Sequence, residues 1–270
     1  MLETNKQALA AEAIEFNAWG DLMSVMPTGL KAGIAADHRI VGGALSISAR
    51  NVPLATFNRV IGLGLERPAE RGDVKEIANH MREFSAPVAQ LQIAPFALSP
   101  ELETDLAGEG FKRLPTVWAK MGRMSANPPV VEVDLAVDAV GPEEAALFAS
   151  TVLAGFGMPP SFAPWLEALP GRDRWRCYVA RSGNDVMAAG AMFLDTDAAW
   201  LGMAATLPTA RKHGAQSALL ARRIADAASL GKPWVFTETG ILDGPNPSLA
   251  NMRRAGFECL HERTNWVLNG

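Results

Sequence analysis

Cysteine and histidine are scarce in this sequence. Its 270 residues include two cysteines, Cys177 and Cys259, and four histidines that are scattered without the paired spacing of metal ligands. Two cysteines do not form a disulfide framework, so we expect a reducing compartment. Because both lie in apolar, strand-like surroundings, we expect both to be small buried side chains. The sequence predicts no metal site.

Long apolar runs are absent as well. The longest candidate, 186–207, is interrupted by Asp195 and Asp197, and no run approaches the roughly 20 apolar residues of a membrane-spanning helix. The first seven residues are polar and lack the apolar core of a signal peptide. We therefore expect a cytoplasmic protein with no membrane partner.

A strong charge of either sign is missing too. The 25 lysines and arginines are set against 29 acidic residues, which leaves a net charge of -4. Nucleic acids and anionic membranes both favour a basic surface, so we expect neither as a partner. Apolar residues make up 49% of the chain, enough material for the cores of two domains.

Apolar periodicity divides the chain into two halves that each contain helices and strands. The polar segment 125–129 has two prolines, which interrupt regular structure and predict a linker. We place one domain at 1–125 and a second at 130–270. The predicted helices cover about 5–25, 74–84, 100–108, 142 onward, 162–169, 214–230 and 248–255. The predicted strands cover about 43–48, 57–65, 88–93, 110–121, 130–137, 175–181, 186–194, 199–206, 233–239 and 257–268.

The two halves end with similar residues. Gly110 and Phe111 are followed by Trp118, and the pair at 256–257 has the same glycine and phenylalanine and is followed by Trp266. Each pair follows a predicted helix and begins the strand that closes its half. The repetition predicts a duplicated domain.

The most informative stretch joins the strand 199–206 to the helix 214–230. The loop between them carries Arg211, Lys212 and Gly214. The first-turn amides of a helix have no internal partners, and with the helix dipole they attract an anion such as a diphosphate. Gly214 lets the backbone approach the anion without a side chain in the way. An ordinary strand–turn–helix connection explains the loop alone equally well.

This stretch resembles the coenzyme A loop of the GNAT acetyltransferase superfamily, whose pattern is Q/R-x-x-G-x-G/A at the start of a helix. Arg211 and Gly214 match the first two fixed positions, and Gln216 stands where glycine or alanine is usual. The resemblance covers about 130–270. It implies an α+β fold of two tandem GNAT-like domains, the first a degenerate copy. Each would be a mixed, mostly antiparallel twisted sheet flanked by helices.

The resemblance also implies acetyl-CoA as a co-substrate. Its pantetheine arm would lie in a gap between the strands 199–206 and 233–239, and its pyrophosphate would bind the amides of 212–217. Asn246 and Asn251 are candidates for an asparagine that contacts the coenzyme near the last helix, although a cap or a surface amide explains either equally well. The implied coenzyme contacts are Ala205, Thr206, Leu207, Arg211, Lys212, His213, Gly214, Ala215, Gln216, Ser217, Asn246 and Asn251.

Glu238 is the candidate catalytic base. An amine must lose a proton to attack a thioester, and a carboxylate can accept it directly or through water. Glu238 lies near the end of an apolar strand, beside the implied thioester, although a solvated edge residue fits the same pattern. Glu167 and Asp243 are further candidates near the acceptor. The family often has a tyrosine as general acid where this chain has Met252, and the one tyrosine, Tyr178, lies on an earlier strand.

The first half lacks the features of a second coenzyme site. When the two halves are matched, Val74 replaces Gly214, and an acidic residue, Glu76, replaces Gln216. Asp73 adds another negative charge that would repel a pyrophosphate. We expect this half to pack on the other and to wall the acceptor pocket. There, Arg59 and Arg67 would either face an anionic part of the substrate or, the interpretation we favour, be solvated surface residues.

The sequence therefore predicts an N-acyltransferase. It would move an acetyl group from acetyl-CoA to a primary amine of a small molecule or peptide, by direct attack in a ternary complex. Two alternatives stay open. A sensor that binds acyl-CoA without turnover is favoured by Met252, and a scaffold without a ligand is favoured by the degenerate first half. A homodimer is also left open, as are the acyl-chain length and the identity of the acceptor.

Overall fold

The computed structural model describes residues 2–241 and 244–268, with side chains described from Lys6 onward. Both halves of the chain contain helices and strands. The helices are α1 (Leu2–Ser24), α2 (Thr28–Gly33), α3 (Arg71–Phe84), α4 (Pro100–Gly108), α5 (Ala145–Phe156), α6 (Ala163–Leu166), α7 (Ala215–Ser229) and α8 (Pro247–Arg254). The strands are β1 (Ala36–Val41), β2 (Ala44–Ala49), β3 (Arg59–Ile61), β4 (Gln90–Ile93), β5 (Phe111–Met124), β6 (Ala136–Val140), β7 (Trp175–Ser182), β8 (Asp185–Leu194), β9 (Ala198–Thr206), β10 (Trp234–Ile241) and β11 (Glu258–Leu268).

The two halves exchange their last strands within one continuous sheet. The strand order is β1-β2-β3-β4-β11-β5-β10-β9-β8-β7-β6 across the described residues. β5, the last strand of the first half, therefore pairs with β10 of the second half, and β11 pairs with β4 of the first. The exchanged strands also pair with each other. The repeated Gly-Phe pairs begin these two strands, and Gly110 and Gly256 both have positive φ angles, +89° and +82°.

Each half contains one pair of parallel strands, β3 with β4 and β9 with β10, and most other pairs are antiparallel. β10 pairs with β9 only where 234–236 lie opposite 198–200. Beyond Trp200, β9 continues to Thr206 without pairing to β10, and the two strands diverge. The divergence leaves main-chain groups on the inner edge of β9 without a strand partner, as the resemblance implied.

Helices cover both faces of the sheet. α1, α5 and α6 pack on one face around Trp19, Trp165 and Phe193, whereas α7 and α8 cover the opposite face in the second half. α3 and α4 pack against the first half. α1 crosses the middle of the sheet and contacts β5, β9, β10 and β11. Among the described residues, no helix has both the length and the apolar content needed to cross a bilayer.

Several local predictions were wrong. Residues 130–135 form no strand, and β6 begins later, at Ala136. β1 was missed because it is an edge strand in which three consecutive residues, Asp37, His38 and Arg39, are polar. The strand predicted over 57–65 is short, because Gly62 and Gly64 have φ angles of +84° and +79° and end it. Cys177 is buried as expected, but Cys259 is exposed.

Candidate active site

A cavity of about 700 Å³ lies where β9 ends, α7 begins and α8 packs beside them. It is the place at which the diverging strands meet the glycine-bearing loop. Nine of the twelve predicted coenzyme contacts line it: Ala205, Thr206, Arg211, Lys212, Gly214, Ala215, Gln216, Ser217 and Asn251.

The N-terminus of α7 forms one wall of this cavity. Gly214 precedes the helix with a φ angle of +80°, and its carbonyl accepts the N–H of Ala218 at 3.0 Å. In the described part of the chain, no protein oxygen accepts the N–H groups of Ala215, Gln216 or Ser217. A Cβ atom at Gly214 would also lie 2.6 Å from Cγ1 of Val133. The turn therefore requires glycine, and three free donors point out of the helix end.

The lining of the cavity carries positive charge. Arg211, Lys212 and Arg254 contribute cations, and the described lining residues include no carboxylate. Lys212 has a φ angle of +69°, a left-handed conformation that is uncommon outside glycine. Free amides, a helix dipole and nearby cations together fit a diphosphate group.

A β-bulge interrupts β9 beside the cavity. Ala191 lies opposite Gly202, and Ala189 lies opposite Ala205. Two residues of β9, Met203 and Ala204, therefore face one residue of β8, Gly190. Met203 has a φ angle of +49°. The bulge turns the backbone at the point where β9 leaves β10, and main-chain groups there are available to a ligand.

Seven lining residues were not predicted from the sequence. Pro247, Ser248 and Arg254 come from α8, Gly155 and Phe156 come from the end of α5, and Ala204 and Ala210 come from β9 and the loop after it. A Cβ atom at Gly155 would lie 2.5 Å from Cβ of Ala205, so this glycine allows α5 to approach β9. The available signal was a glycine inside an apolar helix. Phe156 is 53% exposed beside the cavity, an unusual position for a large apolar side chain.

Three predicted contacts lie outside the lining. His213 is exposed on the loop, and the N–H of Leu207 donates to the carbonyl of Met187 at 3.0 Å. Asn246 caps α8, because its Oδ1 accepts the N–H of Leu249 at 2.9 Å and its Nδ2 donates to the carbonyl of Gly240 at 2.7 Å. Its structural role is thus the cap that the sequence left as an alternative.

The other catalytic candidates fall in different environments. Met252 is buried in the core between α7 and α8 and does not line the cavity. Tyr178 is buried on β7. Glu167 is half-buried just after α6, and Asp243 lies outside the described residues. None of the described three lies in the cavity wall.

Glu238 lies in β10 and points into the interior rather than into the cavity lining. Its Oε2 accepts from Nε1 of Trp200 at 2.8 Å and from Nζ of Lys120 at 3.2 Å. Burial raises the pKa of Glu238, and the nearby charge of Glu15 acts in the same direction, against Lys120, Arg263 and Arg59. Glu238 is therefore a buried carboxyl group with an increased proton affinity.

Glu238 belongs to a buried charge cluster, which we define as Glu12, Glu15, Arg59, Lys120, Glu238, His261 and Arg263. The cluster lies between α1 and the central strands, and its side chains are at most 8% exposed. Glu15 is at its centre. Its carboxylate lies 2.8 Å from Nζ of Lys120, 2.7 Å from Nη2 of Arg263 and 3.2 Å from Nη2 of Arg59.

This cluster corrects the prediction that Arg59 is a solvated surface residue, because Arg59 is 2% exposed. Arg67 is half exposed, and its guanidinium makes two 2.7 Å hydrogen bonds to the carboxylate of Asp73. Asp73 also accepts the N–H of Glu70 at 2.8 Å and completes a capping box at the start of α3. The start of α3 is the position in the first half that corresponds to the start of α7. There the carboxylate of Asp73 occupies the helix end.

Solved structures share this fold. An acetyltransferase of the GNAT type from Kribbella flavida matches 89% of this chain and 93% of its own, with 14% identity and a TM-score of 0.61. A GNAT-family acetyltransferase from Colwellia psychrerythraea matches 87% of this chain and 86% of its own, with 13% identity and a TM-score of 0.57. A tandem GNAT protein from the clavulanic acid biosynthesis pathway matches 77% of this chain and 73% of its own, with 15% identity and a TM-score of 0.52.

The chain therefore has the tandem GNAT fold, with two GNAT-like halves merged into one sheet. No protein-family model matches the sequence, and no curated protein matches it. At these identities the likeness concerns the fold, and the function has to be argued from the site.

Proposed function

We propose that the protein is an acyltransferase that moves an acetyl group from acetyl-CoA to a primary amine of a small molecule or peptide. One observation carries the proposal. The three free amides of α7, the cations around them and the diverging edge of β9 all meet in one cavity. In a chain with this fold, that cavity suits a diphosphate joined to an extended arm.

The residues of the cavity fit acetyl-CoA in two parts. The pyrophosphate would bind the N–H groups of 215–217, with Arg211 and Lys212 balancing its charge. The pantetheine amides would pair with main-chain groups near Ala205 and Thr206, which line the cavity. Gly155 keeps α5 close to this edge without filling the cleft.

Transfer requires a neutral amine. At neutral pH an alkyl amine with a pKa near 10 is mostly protonated, a cost of roughly 4 kcal/mol. The amine lone pair forms a bond to the thioester carbon, the carbon–sulfur bond breaks, and the electron pair leaves on sulfur. The nitrogen gives up one proton, and we assign its acceptance to Glu238, reached through water because Glu238 is not among the residues that line the cavity.

The departing thiolate has no tyrosine partner in the described cavity wall. Met252 is buried and its thioether has no acidic proton to donate, and the described lining includes no carboxylic acid. The cleft is open to solvent at α7 and α8, so the sulfur leaves as a thiolate or takes its proton from water.

A sensor that binds acyl-CoA without turnover is the second candidate. It is favoured by the position of Glu238, which is ion-paired with Lys120 and lies outside the cavity lining. In that case the carboxyl group would serve the buried charge cluster alone.

Two measurements separate these functions. Calorimetry with acetyl-CoA tests for binding, and thiol release across a panel of small-molecule and peptide amines tests for turnover. The transferase predicts binding and amine-dependent thiol release. Binding without release for any amine supports the sensor, and absence of binding contradicts both.

A further inference from the structure

Arg223 is a buried cation on the face of α7 that packs against the sheet. It is 1% exposed, and the other buried residues of α7 are apolar: Ala215, Ala218, Leu219, Leu220, Ile224 and Ala227. Within the described residues no carboxylate lies in ion-pair distance of its guanidinium. Burial lowers the pKa of Arg223 to about 10, and Tyr178 acts in the opposite direction. An arginine without a counter-ion in such a place is costly and calls for an explanation.

The guanidinium of Arg223 contacts the backbone at the β-bulge. Its Nε donates to the carbonyl of Leu219 at 3.0 Å, within α7. Its Nη1 donates to the carbonyl of Ala191 on β8 at 3.0 Å and to that of Gly202 on β9 at 3.4 Å. A Cβ atom at Gly190 would lie 3.2 Å from Nη1. The glycine opposite the bulge thus leaves space for the cation.

The peptide between Gly202 and Met203 is fixed by two neighbours, the ring of Trp200 and the guanidinium of Arg223. A Cβ atom at Gly202 would lie 2.0 Å from the ring of Trp200, so only glycine fits beneath that ring. The carbonyl of Gly202 faces Arg223, and the described chain has no cis peptide bond. Because a trans peptide directs its C=O and N–H in opposite directions, the N–H of Met203 points away from α7 and β8. That side of β9 faces the gap to β10.

In the proposed function a main-chain amide of β9 polarises the thioester carbonyl, as the resemblance implies. We propose that Arg223 is a positioning residue for this step, because it fixes the bulge and polarises the Gly202–Met203 peptide, whose N–H would bind the thioester oxygen. The inference rests on the proposed function. Negative charge develops on that oxygen when the amine attacks. A donor backed by a desolvated cation stabilises this charge without reorganisation.

The alternative is a structural role in which Arg223 only satisfies carbonyl groups. An apolar side chain of similar length would then be tolerated, since replacing a buried ionic group by a hydrophobic one is often neutral for stability. The two roles differ in what they do to a bound thioester. Only the proposed role alters the electronic state of its carbonyl group.

The test compares Arg223→Met and Arg223→Lys with Arg222→Met. Arg222 is a half-buried neighbour that pairs with Asp226 and donates to the carbonyl of Val137, without contact to the bulge. Calorimetry measures acetyl-CoA affinity, and thiol release measures kcat. Infrared spectroscopy of acetyl-CoA labelled with carbon-13 at the carbonyl measures bond polarisation in the complex.

We expect wild type and Arg222→Met to shift the bound carbonyl stretch to lower wavenumber than in free acetyl-CoA. Arg223→Met should bind acetyl-CoA with nearly unchanged affinity, lose most of the shift and lose at least ~10-fold in kcat, less than the loss of a direct oxyanion donor. Arg223→Lys should recover part of both.

A carbonyl stretch and kcat that stay at wild-type values in Arg223→Met would overturn the inference and leave the proposed function intact. If wild type does not bind acetyl-CoA, the proposed function itself fails, and this inference with it. Should Arg223→Met not fold, Arg223→Gln removes the charge and keeps N–H groups that can donate to the same carbonyls. A wild-type carbonyl stretch in that folded variant would equally overturn the proposal.

Discussion

Glu15 of α1 and Lys120 of β5 form an ion pair of 2.8 Å in which neither side chain has exposed surface. The pair joins the first helix to the strand that the first half contributes to the second. Arg263 of β11, the strand exchanged in the other direction, lies 2.7 Å from the same carboxylate. One glutamate therefore contacts both exchanged strands, and the buried charge cluster joins the two halves at their crossing point.

Removing this carboxylate should destabilise the protein strongly. Glu15→Ala leaves Lys120, Arg263 and Arg59 as buried cations with too few partners, and breaking such a network costs about 3–5 kcal/mol. Urea unfolding measures the loss. Glu103→Ala is the control. Glu103 is exposed and its ion pair with Arg113 is long, at 4.0 Å, so we expect the free energy of unfolding to change by less than ~0.5 kcal/mol. Equal effects of the two variants would contradict a central role for Glu15.

Stability should fall in acid because of the same cluster. Burial alone would raise the pKa of Glu15, but Arg263, Lys120 and Arg59 outweigh it and hold that pKa well below its ordinary value of 4.5. The stabilisation is present above pH 4.5 and is lost as the pH falls further, since the unfolded chain then binds more protons. In unfolding measured from pH 7 to pH 3, Glu15→Gln should lose less stability than wild type. An identical slope for both would contradict this cause.

The sequence predicted features that depend on neighbouring residues but not the contacts between distant parts of the chain. The strand 199–206, the loop and the helix at 214 were predictable, because Gly214 and apolar periodicity act over a few neighbouring residues. The exchange of β5 and β11 was not predictable, because pairing with one half or the other leaves their alternating pattern unchanged.

Buried charge was the other feature beyond prediction. Glu12 and Glu15 lie on the face of α1 that packs against the sheet, and Arg223 lies on the packed face of α7. From sequence alone, a glutamate or arginine is predicted to be exposed to solvent. Its burial is tolerated only when the fold brings hydrogen-bonding or charged partners next to it, and those partners are distant in sequence. Arg59 was assigned to the surface for this reason.

Replacing Glu238 separates its two proposed roles. Glu238→Gln keeps an acceptor for Trp200 but cannot take a proton from the amine, so kcat should fall ~10²-fold while acetyl-CoA affinity is unchanged. The wild-type rate should rise with pH as Glu238 ionises, above the ordinary carboxyl range because burial raises its pKa. The variant should lack this contribution and keep only the rise that comes from deprotonation of the amine. Unchanged kcat together with an unchanged pH profile would assign Glu238 to structure alone.

The chain should bind one acetyl-CoA. The α3 terminus of the first half is occupied by Asp73, which is paired with Arg67, and Glu76 accepts the nearby N–H of Gly42 at 3.2 Å. A second pyrophosphate would meet these carboxylates. Calorimetry gives the stoichiometry, and two equivalents bound per chain would show that the first half also holds a coenzyme.

Coenzyme affinity should also depend on salt. Arg211 and Lys212 are exposed beside the free amides of α7, and exposed charges are screened as ionic strength rises. Arg211→Ala should weaken acetyl-CoA binding and reduce its salt dependence. Lys232→Ala is the control, because Lys232 follows the opposite end of α7 and does not line the cavity. Equal salt dependence in wild type and Arg211→Ala would argue against phosphate contact by this residue.

The most direct test of the account is titration of acetyl-CoA into wild type, Gln216→Ala and Gln216→Glu. An acidic residue in the first turn favours the helix dipole, so Gln216→Glu should fold as well as wild type. Its carboxylate would nevertheless stand where the pyrophosphate is expected. We predict one-site binding for wild type and Gln216→Ala, and affinity at least ~10-fold weaker, about 1.4 kcal/mol, for Gln216→Glu. Equal affinity for all three proteins would contradict a coenzyme site at the N-terminus of α7.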